Sequence, residues 1–372
     1  MAILREHTSL HALPADSWDA LSGGQPWLSH ALLSALEDSG AVSAATGWQP
    51  AHLALWEGEQ LCAVAPRYLK THSRGEYVFD WSWARAYAEH GLNYYPKALG
   101  AVPFSPIPGP RLLAADAHSR LALAQGLADA GHGQSGSHVL FVPDADRAAL
   151  QSVGFLPRMG VQFHWQNAGW PDFAAFLASL RQDKRKKIRQ ERQKVAAAGV
   201  QIVQRSGSDI READWVFFEH CYRNTYQEHR SHPYLPLAFF LLLGQRLPEA
   251  CVLFLAYRGQ QPIAASLCLR DAHRLYGRYW GCIEQVDCLH FELCYYAGID
   301  YALAQGLAVF EGGAQGEHKL ARGFLPVPTW SMHRLQQPAL HQAIGRWLAQ
   351  ERQAMAEYLA EQHAASPYKT AG

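Results

Sequence analysis

The chain has 372 residues, 49% hydrophobic and 18% charged, which suits two globular domains and excludes a disordered or low-complexity chain. Lys and Arg number 33, as do Asp and Glu, so attraction to nucleic acid or anionic lipid requires a local patch. The seven cysteines form no CxxC pair, Met1–His7 has no apolar core, and Leu235–Leu243 is far short of the ~20 residues that span a bilayer; the expectation is a reduced, cytoplasmic protein.

In chain order, residues 27–38 read as an amphipathic helix. Leu53–Ala65 reads as strand, Gly-centred turn and strand. Residues 70–111 are dense in Pro, Gly and aromatics, as in an ordered functional loop or lid, or a loop simply pinned by its prolines. Its aromatics lie beside His72, Glu76, Asp80 and Lys97, which is what a substrate pocket offers. A helix over 116–130 precedes Gly154-Phe-Leu-Pro157, and a long helix is expected over 172–198, with Asp172 near its start and Gly199 as its stop. Val200 begins a strand, and Trp215–Thr225 and Pro236–Gly244 suggest helices.

Phe254–Ala265 repeats the hairpin pattern. Tyr276–Trp280 alternates as a strand that puts Arg278 and Trp280 on one face, and a helix-like run covers His290–Leu307. Val309–Glu311 leads into the glycines 312, 313 and 316, then Glu317, His318, Lys319 and Arg322, then Gly323-Phe-Leu-Pro326. The chain ends in a helix from about Ala339 to Gln362, with Leu340, Ile344, Trp347, Leu348, Met355, Tyr358 and Leu359 on one stripe.

Two hairpins and two Gly-Phe-Leu-Pro segments in the same order, each of the latter followed by a histidine ten residues after its glycine (His164, His333), indicate a duplicated domain. The expected halves are 1–165 and 166–372. The class is α/β or α+β with a largely antiparallel sheet, because the hairpins are short.

Three constellations can carry chemistry. Residues 181–194 hold eight Lys/Arg against two acids, and Lys184, Arg185, Lys186, Lys187 and Arg189 suit a phosphorylated donor or tRNA, or else form a solvated face. Glu292 sits four residues before Tyr296 on the following helix. In the Gly-rich turn, Glu317 or His318 can take a proton while Lys319 or Arg322 holds an oxyanion or phosphate, with Gln315 and Arg278 nearby; the alternative is a charged capping turn. GxxxxGK[ST], GxSxG and HExxH are absent, and Cys282, Cys288 and Cys294 are wrongly spaced for zinc, so no metal is expected.

Lys70–Asp80, Tyr94-Tyr-Pro-Lys97, Gln162-Phe-His-Trp165, Lys184–Arg189, His290–Tyr296 and Gly313–Lys319 resemble the bacterial FemAB-like proteins, named for peptidoglycan biosynthesis or recognition. The resemblance implies two tandem GNAT-like domains, each a mostly antiparallel mixed sheet flanked by helices. It also implies acyl or aminoacyl transfer to an amine, in which Gly312–Gly313 and Lys319 match the Gly-Gly turn and lysine of Fem ligases. His318 stands where those ligases have Phe. The implied donor is acyl-CoA or aminoacyl-tRNA. Glu284–His290 lacks the glycine loop by which GNAT enzymes hold coenzyme A, which weakens that donor and leaves a non-catalytic module binding peptide, glycan or tRNA as the alternative.

Overall fold

A computed structural model describes residues 2–131, 133–313 and 316–369. The chain runs β1 (Ala2–His7), α1 (Ala15–Ser22), α2 (His30–Asp38), β2 (Trp48–Pro50), β3 (His52–Glu57), β4 (Gln60–Ala65), β5 (Arg67–Lys70), α3 (Trp81–Glu89), β6 (Lys97–Gly100), β7 (Leu113–Ala114), α4 (Ala117–Asp129), β8 (Gly136–Val139), α5 (Asp144–Ser152) and β9 (Leu156–Gln166). It continues through α6 (Phe173–Ser179), α7 (Gln182–Ala197), β10 (Val200–Ser206), α8 (Glu212–Glu228), α9 (Leu237–Arg246), β11 (Cys251–Arg258), β12 (Gln261–Arg270) and β13 (Arg274–Cys282). Then come α10 (Leu289–Phe291), a π-helical turn (Glu292–Tyr296), α11 (Ala297–Ala304), β14 (Val309–Glu311), a 3₁₀ turn (Glu317–Arg322), β15 (Leu325–Leu335) and α12 (Pro338–Ala364).

Two compact units result, and neither is contiguous. The first holds residues 1–161 and 328–358, the second 162–327 and 359–372. The expectation is two contiguous halves, 1–165 and 166–372; here residues 328–358 group with the first unit and 359–372 with the second. Within it, β1-β3-β4-β7 form one antiparallel sheet and β2-β5-β6-β8 with the end of β15 a second, in which only β6 and β8 run parallel. In the second unit the order is β10-β11-β12-β13-β14, completed by the end of β9, with β13 and β14 parallel. Each unit therefore has one parallel pair in an otherwise antiparallel mixed sheet, as two GNAT-like domains require.

The duplication reaches into backbone detail. Gly58 and Gly259 turn the two hairpins at φ +60° and +61°, and each hairpin carries a register shift at the matched place, Leu55/Trp56 and Ala256/Tyr257. Gly154 and Gly323 both sit in the left-handed region, φ +89° and +91°, and each opens an eleven-residue strand. In the first unit Leu123, Ala124 and Leu127 of α4 pack on Leu53, Leu55, Ala63 and Ala65, so a truncation such as Leu123→Ala costs about 2–5 kcal/mol.

Four expectations need correction. The helix over 172–198 is two, because Leu180 turns extended to bridge Tyr368 and the Arg181 N–H donates to the Pro367 carbonyl. Residues 70–111 are not one loop: α3 starts after Asp80, and Lys97–Gly100 is an interior strand whose four residues are all buried. The run from His290 is interrupted by the π turn and ends at Ala304. Arg278 falls at a bulge of β13, where register skips from Tyr279 to Gly277, so simple alternation with Trp280 does not hold.

Candidate active site

In the second unit, β14 delivers Glu311 to the end of the parallel pair, and the chain then passes Gly312 and Gly313. Gly313 (φ +85°) and Gly316 (φ +125°) adopt conformations that side-chain-bearing residues rarely reach, which is why glycine stands there. Gln315 lies outside the described residues. The 3₁₀ turn carries Lys319 back over this backbone; its Nζ donates to the Gly313 carbonyl at 2.8 Å and the residue is 2% exposed. A Cβ at Gly313 would lie 3.7 Å from Arg278 Nη1 and 4.0 Å from Lys319 Nζ, so two cations converge on one backbone position. Burial, with the Arg278 charge adding to it, pushes the Lys319 ammonium down to about 7.

Glu311 stands opposite His164 in register. Burial pushes its carboxyl up to about 7 against the opposing pull of Arg274, whose Nη1 donates to Oε1 at 2.9 Å. Its Oε2 has no hydrogen-bond partner among the described residues. His164 bonds Gln162 at 3.1 Å and is neutral, pushed down to about 3 by burial. Neither Glu311 nor His164 was singled out as a site residue by sequence reasoning; the signal was the matched histidines of the two repeats.

The remaining charged residues of the turn divide. His318 is exposed and its Nε2 bonds the Tyr295 hydroxyl at 2.8 Å; partial desolvation of the ring, then the Lys319 and Arg322 charges, hold its pKa below the ordinary imidazole value. Glu317 is exposed. Arg322 is buried, donating to Glu191 at 2.7 Å and lying 3.5 Å over the Phe291 ring, so it anchors the turn rather than facing solvent. The extra residue of the π turn separates roles: Tyr295 meets His318, while Tyr296 donates to Glu191 and accepts from Arg322 Nε. Glu292 is taken by Arg192, 2.9 Å away, which also holds Asp300. Trp280 packs edge-on to His290, 5.1 Å between ring centres.

On α7, Ile188, Glu191 and Val195 face inward while Lys186, Lys187 and Arg189 are exposed. Lys184 and Arg185 are half-buried, and Lys184 pairs with Asp183 at 2.9 Å.

The first unit gathers Glu76, Asp80 and Lys97 into one buried cluster. Lys97 Nζ donates to Ser73 Oγ at 2.9 Å, to Glu76 Oε2 at 2.7 Å and to Asp80 Oδ2. His72 stands beside it, half-buried, its Nε2 bonded to the Thr46 carbonyl. Beyond Asp80 a buried polar row continues through Tyr94, His138, His333 and Ser331, with the two histidines 2.9 Å apart. In strand register Lys97, His138 and His333 occupy the places that Arg274, Glu311 and His164 take in the second unit. Each repeat thus keeps ionisable groups at the end of its parallel pair.

The profile of the FemAB-like family, described as peptidoglycan biosynthesis/recognition, matches residues 9–370. The chain is a FemAB-like protein. No protein of curated function matches it in sequence. Among solved structures, FemX is similar at 13% identity and TM-score 0.52, covering 90% of this chain and 98% of its own. A domain of a putative lysylphosphatidylglycerol synthetase from Agrobacterium fabrum is similar at 9% identity and TM-score 0.55, covering 89% and 94%. L-PGS from Bacillus licheniformis is similar at 9% and 0.54, covering 90% and 96%. At such identities these likenesses speak for the fold. Among the described residues no helix is long and apolar enough to cross a membrane, and no cluster suits a metal ion.

Proposed function

We propose that this FemAB-like protein transfers an activated acyl or aminoacyl group to an amine, with the chemistry in the second unit. The observation that carries the reading is the convergence of Lys319 and Arg278 on the glycine backbone at Gly313. Two cations in a buried setting stabilise an oxyanion far more than they would in water. The amine nitrogen attacks the acyl carbonyl carbon, and the carbonyl oxygen takes up negative charge beside Lys319. Collapse of the intermediate breaks the bond to the donor's sulfur or oxygen, which leaves with the electron pair. The proton lost by the amine passes to His318, whose imidazole is neutral and exposed, or to Glu317 beside it.

The donor is an acyl-CoA or an aminoacyl-tRNA. The exposed Lys186, Lys187 and Arg189 on α7 favour the larger polyanion. Family membership supports a cell-wall precursor as acceptor and a cytoplasmic setting.

Incubating the purified protein with radiolabelled acyl-CoAs or charged tRNA and a panel of amines tests the reading. Lys319→Ala is expected to reduce transfer about 10²–10³-fold with the fold intact by circular dichroism. Undiminished transfer in that variant overturns it.

A further inference from the structure

The buried charges of the first unit have a use of their own. Lys97 spends all three of its donors on Ser73, Glu76 and Asp80, so it is a strut that fixes both carboxylates rather than a free cation. Each carboxylate keeps a second oxygen. Glu76 Oε1 and Asp80 Oδ1 are both buried and neither accepts a hydrogen bond from any described residue. Lys70 Nζ stands 3.9 Å from Glu76 Oε1, beyond hydrogen-bond reach, and lies 3.8 Å over the Trp48 ring. Leaving buried acceptors unmet is costly, so two of them on adjacent, rigidly held carboxylates point to a ligand that brings N–H donors.

We propose that Glu76 and Asp80 bind a primary ammonium group of a substrate, held protonated and so distinct from the amine that reacts in the second unit. Calling its bearer a transfer substrate rests on the transferase reading above; the site itself rests on the first unit alone. Two carboxylates face one committed lysine; burial pushes Lys70 down and Glu76 up to about 7 each, so an entering ammonium is matched by Glu76 in its ionised form and Lys70 in its neutral one. The rings of Trp48, Tyr94 and Tyr95 already lie 3.8–6.0 Å from the lysine nitrogens, and such faces suit a cation. Before α3, Tyr77 holds the left-handed region at φ +64°, which is strained for a bulky residue, and Phe79 and Trp81 are 67% and 49% exposed.

The test is binding of n-butylammonium to the full chain, followed by ligand-observed NMR, with tetramethylammonium and butyrate as comparators. Tetramethylammonium carries the charge without N–H donors. The expected result is binding of n-butylammonium alone, equal in wild type and Lys319→Ala, and weakened at least about tenfold in Glu76→Gln and Asp80→Asn. Equal binding of tetramethylammonium, preference for butyrate, or undiminished binding in both carboxamide variants overturns the site. The first two comparisons use the wild type, so they decide even if a variant fails to fold. Loss of binding in Lys319→Ala also overturns it, by moving the site to the second unit. Loss of transfer without loss of binding in that variant is the expected separation of the two claims.

Discussion

Glu191 and Arg322 are 131 residues apart in sequence and 2.7 Å apart in space, both buried. The carboxylate of the basic helix thus ties down the turn that presents Lys319. Tyr296 shares both partners and closes the network.

Glu191→Ala leaves the Arg322 guanidinium buried without its carboxylate. Breaking such a pair from one side costs about 3–5 kcal/mol, to be read from the urea midpoint. The turn carrying Lys319 is expected to loosen first, visible as faster amide exchange at 317–322 than in the rest of the second unit.

Glu311 provides a pH signature. Its folded-state value of about 7 lies above its ordinary 4.5. The stability it contributes is therefore fully present below about 4.5 and is lost as pH rises through about 7. Glu311→Gln, which cannot ionise, is expected to be more stable than wild type by a few kcal/mol above pH 7 and level with it near pH 4. Denaturant titrations at both pH values measure the difference; a gap that does not change with pH counts against the assignment.

Lys319 is shifted the other way, downward from its ordinary value. Only its ammonium can hold an oxyanion, and burial brings its value to about 7, so transfer is expected to fall as pH rises past that point. Lys319→Arg, whose guanidinium does not titrate in this range, should lose the alkaline limb while keeping a lower, flatter rate. A pH–rate profile of both proteins decides it.

The paired glycines separate backbone strain from crowding. At Gly154 a Cβ meets nothing within 4 Å, so Gly154→Ala carries only the cost of φ +89°, about 1–2 kcal/mol. At Gly323 a Cβ would stand 2.8 Å from the Phe176 ring and 3.0 Å from the Tyr368 hydroxyl. Gly323→Ala is expected to cost at least ~1 kcal/mol more by thermal or urea unfolding.

Neutralising Lys186, Lys187 and Arg189 on the exposed face of α7 is expected to change stability by less than about 0.5 kcal/mol. If the donor is a charged tRNA, the same triple variant lowers the slope of log affinity against log salt by about 2–3. Filter binding across a salt series measures it.

The sequence by itself determined the repeated hairpins, the two Gly-Phe-Leu-Pro openings, the helices over 116–130, 215–225 and 339–362, and the turn carrying Lys319. These are written in alternation, helical period, caps and glycine placement, which act over a few residues. The break at Leu180 was not legible because no Gly or Pro marks it; a bridge to Tyr368 makes it. Nor could residue types reveal that Arg322 and Glu292 are held in ion pairs while Lys319 stays over Gly313. His138 and His333, 195 residues apart, meet only because each repeat is completed by a strand from distant sequence. The tertiary structure decided these roles, because burial and pairing across a sheet set whether a charge is free, and neither is encoded within one stretch of chain.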